Sequence, residues 1–233
     1  MALPKLNDTP KFNVTIPSTN QKVRFRPYLV KEEKVLMMAV ESGDTKAALA
    51  AVVDTIDACI VEDINVDKLS TFDVEYLFTQ IRSKSAGENV SIGLKCKSCD
   101  QVNEVQIPLD SIKVKVPKVQ KIHELSEDVS IELRYPPYRI LLDMDLENTS
   151  SEQSFALAAK CIEAIMHDDE RISCDDASDE EMIEFLESMT KEQFENVSNF
   201  IEGMPKLQHD VKFECSGCQK KNNIKIEGIQ SFF

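Results

Sequence analysis

The sequence predicts an α+β fold made by internal duplication. Three observations carry the prediction: two CxxC pairs set between alternating strand-like segments, capped apolar runs at helical period, and matches between the two halves of the 233-residue chain. The first half opens with short strands at Phe12–Pro17 and Val23–Arg26, where apolar and polar residues alternate. Pro27 ends the second strand, and a charged helix follows whose apolar positions Leu36, Met37, Met38 and Val40 read as core. A helix is expected over Lys46–Val61. Another starts at Ser70, which has capping-box spacing to Asp73 and is followed by a core face of Val74, Leu77, Phe78 and Ile81. The turn Ile81–Glu88 then leads into the first CxxC hairpin, with Val90, Ile92 and Leu94 before it and Val105 and Ile107 after.

The second half repeats this order. Ile112–Pro117 parallels the first strand at an offset of 100, Ile131–Arg134 parallels the second at 108, and Cys215 matches Cys96 at 119. That last offset also pairs Ile92 with Val211, Leu94 with Phe213, Asn103 with Asn222, Val105 with Ile224 and Ile107 with Ile226. A helix over Glu152–His167 answers Lys46–Val61, and Ser178 with Glu181 caps the next. The growing offset places two insertions, a linker around Lys118–Asp128 and an extra helix, Lys191–Glu202, capped by Thr190 with Gln193. The repeats are therefore 1–110 and 111–233, the second carrying an acidic loop.

The cysteines point to chemistry. Cys96-Lys97-Ser98-Cys99 and Cys215-Ser216-Gly217-Cys218 each sit at a hairpin tip, where a tight turn aims two thiolates at one position. Two such knuckles complete a tetrahedron around one Zn²⁺, a closed site that is structural, not catalytic, and that needs both repeats. The competing readings are a thioredoxin-like redox motif, which belongs at a strand-to-helix junction, and separate disulfides or free thiols. Cys59 and Cys161 lie in apolar helical runs and read as core; Cys174 lies in the acidic loop and reads as an exposed thiol.

Composition narrows the function. Lys and Arg number 27 against 41 Asp and Glu, and a net charge of −14 argues against binding nucleic acid or anionic membranes, which need concentrated positive charge. The opening MALPKLNDTPKF lacks the pattern of a signal peptide, and the longest apolar stretch, Ala47–Val61, is interrupted by Asp54 and Asp57, so no membrane segment is expected. The sequence contains no GxGxxG, Walker loop or GxSxG, and His167 beside the run Asp168–Glu181 reads as a solvated helix end before an exposed loop. No enzyme is expected.

The runs FRPYLVKEEK (25–34) and IRSKSAGE (81–88), followed by a CxxC hairpin, resemble the T-even-type bacteriophage baseplate hub family, most clearly over Lys11–Val105. The resemblance implies a non-enzymatic protein of contractile-tail structure or hub assembly, working in the host cytoplasm and either kept in the virion baseplate or not. Its implied partners are other phage tail or baseplate hub proteins. The family-like positions are Arg26, Pro27, Lys31, Glu32, Glu33, Arg82, Ser83, Ser85, Gly87 and Glu88, with Cys96 and Cys99. Among them Arg26, Lys31, Glu32, Arg82 and Glu88 are the partner-binding candidates. Arg26 and Arg82 are expected to reach Glu33 or Glu88 within the first half, leaving Lys31 and Glu32 exposed to the partner. The alternative function is a zinc-ribbon adaptor for a host or viral protein such as transcription machinery.

Overall fold

The computed structural model describes residues 9–140, 150–168 and 170–228, with helices and small antiparallel sheets mixed along the chain. Two compact units form. Residues 9–66, 71–115 and 206–228 make the first, and 67–70 with the described part of 116–205 the second. These units are not continuous in sequence, because the C-terminal hairpin belongs with the first unit.

The first unit opens with β1 (Phe12–Thr15) and β2 (Lys22–Phe25), an antiparallel hairpin in register Val14↔Val23. Three helices follow: α1 (Val30–Glu41), α2 (Thr45–Cys59) and α3 (Thr71–Ser85). Asp44 caps α2 by accepting from the Lys46 and Ala47 N–H groups. The apolar faces of α2 and α3 are buried through Leu49, Val53, Ile56 and Cys59, and through Val74, Leu77, Phe78 and Ile81. Helix α1 departs from expectation: Met37, Met38 and Val40 are exposed, and its one buried residue is Glu32. Its inward face carries Glu32, Leu36 and Ala39, four and three positions apart, so residues 37, 38 and 40 fall outside that face. A hairpin of β3 (Asn89–Lys95) and β4 (Val102–Pro108) follows, in the expected register Val90↔Ile107 and Ile92↔Val105.

In the second unit β5 (Ile122–Glu124), β6 (Val129–Leu133), β7 (Ile162–His167) and β8 (Glu170–Ser173) form a four-stranded antiparallel meander, and α4 (Ser151–Lys160) lies between β6 and β7 in sequence. Helices α5 (Asp179–Glu187) and α6 (Lys191–Glu202) complete it, and Ser150, Ser178 and Thr190 cap α4, α5 and α6 through capping boxes. Ile131, Leu133, Ile162, Met182, Leu186, Val197 and Phe200 meet in one core. The chain ends its described part in β9 (Gln208–Glu214) and β10 (Lys221–Glu227), in register Val211↔Ile224 within the first unit.

Four local expectations are corrected. The helix expected over Glu152–His167 stops at Lys160, and Ile162–His167 is a strand that buries Ile162 and Ala164 at period 2 between β6 and β8. No strand forms at Ile112–Pro117, where the chain leaves a 3-10 turn and makes only an isolated bridge from Lys113 to Gln208; the preceding strand that pairs with β6 is Ile122–Glu124, inside the expected linker. The acidic segment is no plain loop: β8, a 3-10 turn and the start of α5 occupy it, and Cys174 is buried. His167 ends a strand, not a helix.

Candidate metal centre

The β3–β4 and β9–β10 hairpins share a small core of Val90, Ile107, Leu109, Ile112, Leu207, Val211 and Ile226. Their loops are copies of one turn. The Cys96 N–H donates to the Gln101 carbonyl and the Asp100 N–H to the Cys96 carbonyl, and the same pair of bonds joins Cys215, Lys220 and Gln219. Asp100 and Gln219 both take the left-handed φ of 57° that closes such a turn. The Sγ atoms of Cys96, Cys99, Cys215 and Cys218 consequently lie within 4.8 Å of one another. Across the hairpins Cys96 approaches Cys218 at 3.7 Å and Cys99 approaches Cys215 at 3.6 Å.

Two asparagines brace this cluster, and each serves the opposite hairpin. Asn103 Oδ1 accepts from the Ser216 N–H (2.8 Å) and hydroxyl (2.9 Å), while its amide donates toward Cys215 Sγ (3.7 Å). Asn222 Oδ1 accepts from the Lys97 N–H (3.1 Å), and its amide donates toward Cys96 Sγ (3.5 Å). Sequence reasoning paired these residues without giving them a role. The signal was present: both sit at the inward parity of their strands, in line with Val105 and Ile107 or Ile224 and Ile226, where an unpartnered amide would be unfavourable.

The thiols divide electrostatically. The Ser98 N–H holds Cys96 down to about 6, and the Cys218 N–H lowers Cys215. Cys99 also accepts a bond from the Gln101 N–H, but its neighbours Cys218 and Cys215 outweigh that and push it up to about 12. Four thiolates this close repel one another, and a central cation removes the conflict. A tetrahedral ion at ~2.3 Å from each sulfur needs sulfurs about 3.8 Å apart, which the two cross-hairpin distances match. All seven cysteines are free thiols, and the other three differ in kind: burial pushes Cys59 up to about 11 and Cys161 up to about 12, and raises Cys174. The four close cysteines can hold a metal ion.

The motif residues of the first half form a joint instead of a second cluster. The Arg26 guanidinium lies 2.9 Å from Glu32 and donates to the Ala58 carbonyl at 2.8 Å. Glu32 is only 7% exposed and also accepts from the Leu29 N–H. Arg26 thus pairs with Glu32, not Glu33, and Glu32 faces inward. The Tyr28 N–H donates to Ser85 Oγ at 2.9 Å, tying the two family-like runs together. Glu88 pairs with Lys84, and Gly87 takes a φ of +118° that a side chain would strain. Arg82 is half-buried, near enough to oppose the upward push of burial on the Tyr28 phenol. Lys31 remains well exposed.

A family model described as T4 bacteriophage base plate protein matches residues 9–233 of this chain. No curated protein and no solved structure matches it.

Proposed function

The chain belongs to the T4 bacteriophage base plate protein family, and on that premise we propose that it is a non-enzymatic, zinc-stabilised interaction module acting in the assembly or structure of the baseplate hub of a contractile tail. The four-sulfur cluster carries the zinc part of the reading, since an all-thiolate tetrahedral set favours Zn²⁺ and leaves no open position for substrate. The family carries the tail part, with other phage baseplate proteins as partners met in the host cytoplasm. Among the described residues no helix is long and apolar enough to cross a membrane.

The duplication, with repeats 1–110 and 111–233, belongs to this proposal. Beyond the matched knuckles, a second correspondence supports it. The Arg26 N–H donates to the Cys59 carbonyl (2.9 Å) and its guanidinium to Ala58; the Arg134 N–H donates to the Cys161 carbonyl (2.8 Å) and its Nε to Lys160 (3.3 Å). In each case an arginine just after a strand holds the carbonyl end of a later helix, α2 for Arg26 and α4 for Arg134, where positive charge is favoured. Phe25 bridges Ile60 as Leu133 pairs with Ile162, so the first repeat keeps a stub of the strand that the second extends into β7.

On this reading Lys31, Arg82 and Glu88 mark the face that meets the partner, while Arg26 and Glu32 hold it in shape. Purification of the tagged protein from infected cells, followed by elemental analysis and identification of what accompanies it, is the test. One zinc per chain together with tail proteins is the expected result. Absence of zinc from protein prepared without chelator overturns the metal assignment, and polymerase subunits in place of tail proteins overturn the role.

A further inference from the structure

Helix α1 presents an outward stripe that the fold leaves uncovered: Val30, Met37 and Met38 are 79%, 57% and 58% exposed, and Lys34 and Glu41 lie among them along a shallow surface hollow. At 100° per residue these five positions fall within one narrow face, opposite Glu32, Leu36 and Ala39. Three large apolar side chains on a single short helix are more than scattered surface hydrophobics require.

The charges on the stripe say what covers it. Among the described residues neither Lys34 nor Glu41 has an ion-pair partner, and seven positions of separation on one helix keep them from pairing with each other. The midpoint between residues 34 and 41 is also the midpoint between Met37 and Met38. A two-fold axis through that midpoint therefore sets Lys34 opposite Glu41 of a second copy, twice, and brings Met37 of each copy against Met38 of the other. A parallel arrangement would oppose like charges. We propose that this face of α1 is the contact of a homodimer, with α1 packed antiparallel against α1 of a second copy of the chain.

The contact is small. Twelve residues span only about 18 Å of helix, so the dimer is a weak, reversible one with a dissociation constant of roughly 10–100 µM. The inference stands apart from the zinc and baseplate readings, because the stripe contains no cysteine ligand and none of the partner-face residues Lys31, Arg82 and Glu88. Sedimentation of the full chain with its metal, across low to high micromolar concentration, is the experiment. The wild type should pass from monomer to dimer. Met37→Glu should be monomeric throughout; Lys34→Glu and Glu41→Lys should each weaken association about tenfold, and the two together should return it to within about threefold of wild type. All are exposed positions, so melting temperatures should stay unchanged. A wild type that remains monomeric, a dimer indifferent to Met37→Glu, or a double variant no better than the singles overturns the proposal, as does a monomer that uses this face only for a different protein.

Discussion

Removing the metal tests the joint between the two CxxC hairpins most directly. Cys96 and Cys215 are 119 positions apart in sequence, yet the sulfurs they contribute lie in one cluster 4.8 Å across. An ion held by all four acts as a cross-link closing that long loop, and the chain-entropy relation for a loop of this length gives about 5 kcal/mol. Much of the joint is otherwise thin: a small shared apolar core and the two asparagine braces. Chelation should therefore lower the denaturant stability of the first unit by about 5 kcal/mol and expose the β9–β10 amides to hydrogen exchange. Cys215→Ser should have the same effect, after which chelator should do nothing more. Stability unchanged by a chelator that demonstrably strips the metal would refute the cross-link, as would loss of protection confined to the two loops with both hairpins still docked.

Three further outcomes are expected. Glu32 is held down to about 2, burial opposing and the Arg26 guanidinium prevailing. A carboxyl with a depressed folded pKa stabilises fully above its unfolded pKa, and the contribution is lost as pH falls toward 2. Glu32→Gln should thus cost about 3 kcal/mol near pH 7, and the gap to wild type, measured in chelator so that metal release does not enter, should close between about pH 4.5 and 2; a gap independent of pH contradicts the pairing. Asn103→Ala and Asn222→Ala should each weaken metal binding by about 10- to 100-fold in competition with a chromophoric chelator, and affinities within twofold of wild type would deny them the bracing role. Lys31 is well exposed but reaches Glu32 at 3.1 Å, so Lys31→Ala should cost no more than about 1 kcal/mol of stability while the yield of infectious particles falls; normal yield removes Lys31 from the partner face.

Features written in short stretches were legible in the sequence. Both CxxC hairpins and their register follow from period-2 alternation around a tight turn, the caps at Ser178 and Thr190 from four-residue boxes, and α6 from its stripe of Phe194, Val197, Phe200 and Ile201. The four sulfurs could be named as one set because each CxxC fixes two of them locally and the same strand alternation flanks both pairs. Tertiary structure decided what depends on a neighbour far along the chain. Ile162–His167 has enough helical character to continue α4, but β6 and β8 offer it paired backbone bonds on both edges, and the strand wins. Leu36, Met37, Met38 and Val40 look alike in sequence, yet the inward direction of α1 is set by Glu32 answering Arg26, a strand-end residue that also grips the end of α2. The same holds for Asn103 and Asn222: each completes the other hairpin's turn, and a hydrogen bond between segments more than 110 residues apart leaves no local pattern to read. Periodicity reports which side of an element is apolar; only packing decides which side has something to meet.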